Sequence, residues 1–251
     1  MLKHFAKAAA RTLGFDLERF QPATSRVAQQ RAMLTHHGIN LILDVGANVG
    51  QYGVELRREI GYGGRIVSFE PMKGAYEALR RTAGPDPLWE VAERAAIGAS
   101  EGNVTLNVSS NLVSSSVLPM LSAHMEAAPG SRYQATEVVP VTTLDAVAPR
   151  YLRADSVAFL KIDTQGYESH VLDGASRTLE QALGLQMEIS IVPLYAGQKL
   201  MPELMARVAG LGFELWSTHC AFADPVSGRT LQIDATFFRP DSYRSGRPAP
   251  K

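Results

Sequence analysis

Lys161 and Asp163 stand two residues apart in the apolar run Val157-Ala158-Phe159-Leu160-Lys161-Ile162-Asp163. An extended strand repeats every two residues, so both project from one face and emerge together where the strand ends. Beside a cofactor, an ammonium and a carboxylate so placed can move a proton; a salt bridge that only fixes the following loop is the competing reading. Glu188, within Gln186-Met187-Glu188-Ile189-Ser190, raises the same question, because a carboxylate inside an apolar strand needs a buried partner or a ligand. His124 is a second candidate for proton transfer, with His170 and His219 left open behind it, since a lone histidine is commonly structural.

The segment Leu41-Ile42-Leu43-Asp44-Val45-Gly46-Ala47-Asn48-Val49-Gly50 runs from a strand into a glycine turn and a helix. Gly46 lets the backbone turn and approach a ligand, Gly50 permits close helix packing, and Asp44 can accept hydrogen bonds from a polar ligand or from the loop. Asn48 occupies the place of the middle glycine of a dinucleotide fingerprint. A pyrophosphate needs bare backbone there, whereas a cofactor with an amino-acid end does not, which favours a methyl donor over a dinucleotide. Glu70 closes Ile66-Val67-Ser68-Phe69-Glu70-Pro71, twenty residues after Gly50, where an acid at a strand end can accept both hydroxyls of a ribose. Ala95-Ala96-Ile97-Gly98 places small residues where an adenine can lie flat. Taken singly, each signal also fits an ordinary strand-to-helix connection.

These residues require a sheet that presents them along one edge. From residue 40 onward, apolar runs alternate with amphipathic segments, the pattern of a doubly wound, mostly parallel α/β sheet covered on both faces. Strands are expected near 41–45, 65–69, 91–97, 157–162, 185–191, 213–217 and 232–238, and helices start at Gln51, Lys73, Glu168 and Pro202. Residues 98–153 break the alternation. Val104, Leu106 and Val108 alternate with Thr105 and Asn107, and the Ser-rich stretch 111–130, with Ser114, Ser115, Ser116 and Met125, is a candidate lid. The expected organisation is an N-terminal helical segment over 1–37, one catalytic domain over 38–240 with an insertion near 100–142, and a disordered tail over 241–251.

With 251 residues, 45% apolar and 20% charged, the chain has the size and make-up of one α/β domain. Twenty-five basic residues against twenty-five acidic ones remove the overall positive field of a nucleic-acid binder. Cys220 is the only cysteine, so no disulfide within the chain and no cysteine-clustered zinc site can form; it is expected to be a small buried hydrophobe. No apolar stretch is long enough for a membrane span, and Lys3, His4, Lys7 and Arg11 interrupt the run a signal peptide would need, so a cytoplasmic location is expected. Residues 1–40 carry six Lys/Arg against two acids, while Leu2, Phe5, Ala6, Ala9 and Leu13 share one helical face. That basic amphipathic helix is expected to pack on the core or a second copy; peripheral membrane contact is the alternative.

Taken together, Asp44–Gly50, Phe69-Glu70-Pro71, Ala96-Ile97-Gly98, Thr143-Leu144-Asp145, the run from Leu160 through Lys161-Ile162-Asp163-Thr164-Gln165-Gly166-Tyr167-Glu168 and Val171-Leu172-Asp173-Gly174-Ala175 resemble the FkbM family of methyltransferases in order and spacing. The resemblance covers roughly 38–240. It implies a seven-stranded class I methyltransferase fold, S-adenosylmethionine as donor, and O-methylation of a sugar, glycolipid or polyketide-type hydroxyl. By the same resemblance Asp44, Gly46, Ala47, Asn48 and Gly50 line the methionine part of the donor, Glu70 and Pro71 lie at the ribose, and Ala96 and Ile97 lie at the adenine. Lys161, Asp163 and Glu188 face the acceptor, and Asp163 is the first choice for base. Some related sugar methyltransferases hold a divalent metal; Asp163 and Glu188 could offer oxygens to one, but no ligand spacing is complete, so a metal is not favoured. A non-catalytic scaffold of the same fold and a nicotinamide-dependent oxidoreductase remain the competing classes.

Overall fold

A computed structural model describes residues 2–240, apart from the side chains at 2–4 and 6; the tail expected to be disordered, 241–251, lies outside the described residues. Ten strands form: β1 (Leu41–Val45), β2 (Arg65–Phe69), β3 (Trp89–Val91), β4 (Ala96–Ile97), β5 (Gly102–Ser109), β6 (Tyr133–Thr142), β7 (Ala158–Ile162), β8 (Ala182–Ser190), β9 (Glu214–Ala223) and β10 (Thr230–Phe238). Seven of them make one sheet in the order β3-β2-β1-β7-β8-β10-β9. The first five run parallel, while β10 is antiparallel to both its neighbours.

The helices are α1 (Leu2–Thr12), α2 (Arg26–His36), α3 (Gln51–Glu55), α4 (Lys73–Ala83), α5 (Ser122–Ala127), α6 (Leu144–Val147), α7 (Glu168–Asp173), α8 (Ser176–Gln181) and α9 (Met201–Gly210). Ser25 caps α2 by accepting from the Ala28 amide at 3.3 Å, satisfying one of the free N–H groups of its first turn. Pro202 sits in the first turn of α9, where its missing N–H is not needed.

All five residues of β1 and all five of β7 are buried, as expected of central strands covered on both faces. Ile42, Leu43, Ile66, Val67, Phe159 and Leu160 have no exposed surface, and each such side chain contributes roughly 1.5–3 kcal/mol of burial free energy. The register sets Asp44 beside Ser68 on one side and beside Lys161 on the other.

The expected strand 91–97 is two strands in two sheets. β3 ends at Val91 beside β2, whereas β4 pairs in parallel with β6. The intervening Ala92 to Ala95 lets the chain leave the main sheet, and β4, β6 and β5 form a three-stranded sheet of their own. β5 and β6 pair antiparallel across residues 102–142, and the stretch between them, including α5, returns to the main body through the Met120–Tyr195 bridge.

Candidate functional site

The carboxyl ends of β1, β2 and β7 meet at a cavity of about 530 Å³. After β1 the chain turns at Gly46, with φ of +81°, and Asn48, with φ of +48°, a left-handed conformation that asparagine tolerates better than most residues. A Cβ at Gly46 would stand 1.8 Å from the Asp163 carbonyl oxygen, so only glycine lets β1 and β7 approach this closely. Gly46, Ala47 and Asn48 line the cavity with Glu70, Pro71, Ala96 and Ile97; Gly50 lies behind them at the start of α3.

Glu70 is 5% exposed, and its carboxyl spans the turn: Oε2 accepts from the Asn48 amide and Oε1 from the Met72 amide, both at 2.8 Å. Burial pushes its pKa up to about 7, against the lowering effect of those two amides. Asp44 lies beneath the turn, fully buried, accepting from Ser68 Oγ at 3.2 Å, with Lys161 Nζ 3.5 Å from its other oxygen. Burial raises the Asp44 pKa, and the Lys161 charge opposes that rise.

Lys161 and Asp163 do share a face. Lys161 Nζ donates to Asp163 Oδ2 at 3.3 Å and lies 5.3 Å from the centre of the Tyr52 ring. Burial disfavours the ammonium, but the carboxylates of Asp163, Asp44 and Asp234 together outweigh it and raise the pKa, so Lys161 stays cationic. Glu188 Oε2 accepts from Gln165 Nε2 at 2.7 Å and from Gln232 Nε2 at 2.8 Å. Burial, then the charges of Asp163 and Asp234, holds its carboxyl well above the usual range. Lys161, Asp163 and Glu188 all line the cavity.

The histidines are placed elsewhere. His124 is 3% exposed and lines a smaller cavity of about 210 Å³ behind Gln165 and Glu188, where its Nε2 lies 3.2 Å from Ser114 Oγ and burial lowers its pKa to about 4. His170 stacks on Tyr167, and His219 Nε2 lies 2.8 Å from Gln29 Oε1. Cys220, expected to be buried, is exposed and lines the main cavity, because β9 is the edge strand of the sheet. From the candidate lid, Leu112, Val113, Ser115 and Val117 line the main cavity.

Gln165 and Asp234 were missed. Gln165 has φ of +55° and precedes Gly166 at +96°, a kink braced by Glu168, which accepts from the Thr164 and Gly166 amides at 3.1 and 3.0 Å. The kink aims the Gln165 amide between two carboxyls: Nε2 donates to Asp163 Oδ1 at 2.8 Å as well as to Glu188, and Oε1 accepts from Tyr195 Oη at 2.8 Å. Among the described residues no three His, Cys, Asp or Glu side chains form a group that could hold a metal, and the Gln165 amide bridges the pair expected to offer oxygens. Asp234 faces Glu188 across the β10–β8 register. The rule that singled out Glu188, a charge inside an apolar strand, would have found it too.

Glu168 has a measurable consequence. Burial pushes its carboxyl up to about 7, despite the backbone donors that act the other way. The folded chain therefore holds this proton more tightly than the unfolded one, a contribution to stability that is full below the ordinary carboxylate pKa and is lost as pH rises through about 7. Thermal unfolding followed between acid and mildly alkaline pH is expected to show wild-type stability falling through this window, and Glu168→Gln is expected to flatten the slope.

The sheet order, the single antiparallel strand β10 and the cavity over the ends of β1, β2 and β7 define a class I methyltransferase fold. The chain belongs to the FkbM methyltransferase domain family, whose model matches residues 44–215. Among solved structures, similar chains include an FkbM methyltransferase from Methylobacillus flagellatus KT, at 14% identity over 78% of this chain and 43% of that one with a TM-score of 0.48. The chain thus spans less than half of that protein's length. Others are magnesium protoporphyrin IX methyltransferase from Synechocystis PCC 6803 with bound SAM, at 12% identity over 85% and 78% with a TM-score of 0.46, and a putative rRNA methylase from Clostridium thermocellum, at 9% over 85% and 97% with 0.42. No curated protein matches the chain.

Proposed function

We propose that this protein transfers a methyl group from S-adenosylmethionine to a hydroxyl of a sugar, glycolipid or polyketide-type acceptor. The observation that carries this reading is one cavity lined on one side by the Gly46-Ala47-Asn48 turn, Glu70 and Ile97, and on the other by Lys161, Asp163 and Glu188. The donor side suits the cofactor's parts. Asn48 Oδ1 is a buried acceptor with no partner, available to an amino group. Each Glu70 oxygen accepts one backbone amide and keeps a lone pair for a ribose hydroxyl. Phe69, Ala96, Ile97 and Leu106 offer an apolar wall to a purine.

S-adenosylmethionine, when bound, supplies a methyl group already activated on a sulfonium. The chain then has to orient the acceptor hydroxyl and take its proton. Asp163 is the base in this proposal: Lys161 holds Oδ2 and Gln165 holds Oδ1, which fixes the carboxylate at the rim of the cavity. Glu188 Oε2 is taken by two amides, leaving Oε1 to a second acceptor hydroxyl.

The test is calorimetric titration with S-adenosylhomocysteine. Saturable binding to the wild type, lost in Glu70→Ala and not reproduced with NAD, is the expected result. No binding to the wild type would return the chain to a non-catalytic scaffold, and saturable NAD binding would favour an oxidoreductase.

A further inference from the structure

The described side chains of residues 5–20 are left largely uncovered by the rest of the protein. Of the side chains described there, only Ala10 is half-buried and the others are exposed. Phe5 is 77% exposed, Leu13 76%, Phe15 68% and Phe20 60%, with Leu17 also in the open. Five of the twelve strongly exposed large apolar residues among those described therefore fall in this one short segment. Single apolar residues at a surface are ordinary, but a contiguous set marks a contact surface.

The charge pattern selects the contact. The eleven residues of α1 include Lys3, Lys7 and Arg11 and no acid, and the helical repeat puts Lys7 and Arg11 opposite the face of Phe5 and Ala9, which Leu13 continues just past the helix; in the loop that follows, Asp16 pairs with Arg11 at 3.2 Å and Glu18 adds a second acid. A helix of this length is marginal in water by itself and gains most of its stability from burying an apolar face. Over residues 1–20 four Lys/Arg stand against Asp16 and Glu18, an excess of positive charge that an anionic surface attracts. The far end of the segment is tied to the body, with the Arg31 guanidinium 5.2 Å from the centre of the Phe20 ring. Among the described residues no helix is long and apolar enough to cross a membrane, so such a contact lies at the surface of the bilayer.

We infer that α1 and the loop through Phe20 form a docking surface for an anionic lipid bilayer, with Phe5, Leu13 and Phe15 entering the headgroup boundary and Lys7, together with Arg11 once it exchanges Asp16 for lipid, facing lipid phosphates. Ser25 and Arg26 follow within a few residues, and Arg26 lines the main cavity, so a docked segment brings the rim of that cavity toward the lipid. The inference does not depend on the reaction catalysed.

The experiment is co-sedimentation of the full chain with vesicles of phosphatidylcholine alone or mixed with phosphatidylglycerol. Binding is expected only to the mixed vesicles and is expected to weaken as salt rises. Lys7→Glu combined with Arg11→Glu, and separately Phe5→Glu combined with Leu13→Glu, are each expected to lower partitioning by about tenfold or more. The thermal midpoint is expected to stay unchanged in both, because these side chains are exposed. Absence of binding to phosphatidylglycerol vesicles, or binding that neither double variant weakens, would overturn the inference. A concentration-dependent dimer dissolved by Phe5→Glu/Leu13→Glu would assign the surface to a second copy instead.

Discussion

Replacing Asp163 by asparagine is expected to lower methyl transfer by about 10²–10⁴-fold, the usual worth of a positioned base, while S-adenosylhomocysteine affinity is unchanged. Asparagine keeps the shape of the side chain and an oxygen for Lys161 or Gln165, which now hold Asp163 at 3.3 and 2.8 Å, but cannot take a proton. Lys161 also retains Asp44, 3.5 Å away, so its charge is not left uncompensated. The check is transfer from labelled donor to the acceptor that the wild type methylates best in a screen of sugars, glycolipids and polyketide alcohols. Undiminished transfer by Asp163→Asn would remove Asp163 from the chemistry and leave it as a brace for Lys161.

The second large effect is structural. In Gly46→Ala the new Cβ would stand 1.8 Å from the Asp163 carbonyl oxygen and 2.8 Å from its carbon, at a φ of +81°. Both atoms are backbone, so β1 and β7 must separate where donor and acceptor sides meet. Overpacking and backbone strain together are expected to destabilise the chain by roughly 3 kcal/mol or more. Urea unfolding measures this directly, with Gly74→Ala as the contrast. Gly74 lies in α4 with nothing within 4 Å of a Cβ, so alanine there is expected to be neutral or stabilising by up to about 1 kcal/mol. A Gly46→Ala protein as stable as the wild type would show that the β1–β7 approach is not rigid.

The sequence alone determined the features that arise within a few residues of themselves. β1 and β2 begin and end where their apolar runs do, because the glycine turn and Glu70-Pro71 punctuate them. Lys161 and Asp163 share a face because a strand repeats every two residues. The placement of Glu70 beside the turn after β1 follows from the same logic, once two strands alternating with a helix are known to lie parallel and adjacent.

What only the tertiary structure decided are pairings between distant segments. That Ala96 and Ile97 leave the main sheet depends on β6 offering them an edge at Val141 and Thr142, forty-five residues later in the chain. Gln165 was visible as a letter in a motif, but its bridging role rests on a left-handed backbone and on Glu188 and Tyr195 arriving from β8 and beyond. His124, the second choice after Asp163 from the sequence, is buried against a separate, smaller cavity. The N-terminal helix is amphipathic by its spacing, yet whether its apolar face is covered depends on what the rest of the chain packs against it; the expected packing on the core is absent among the described side chains of α1. Periodicity constrains a residue's own element, whereas contact depends on which other elements the fold brings to it.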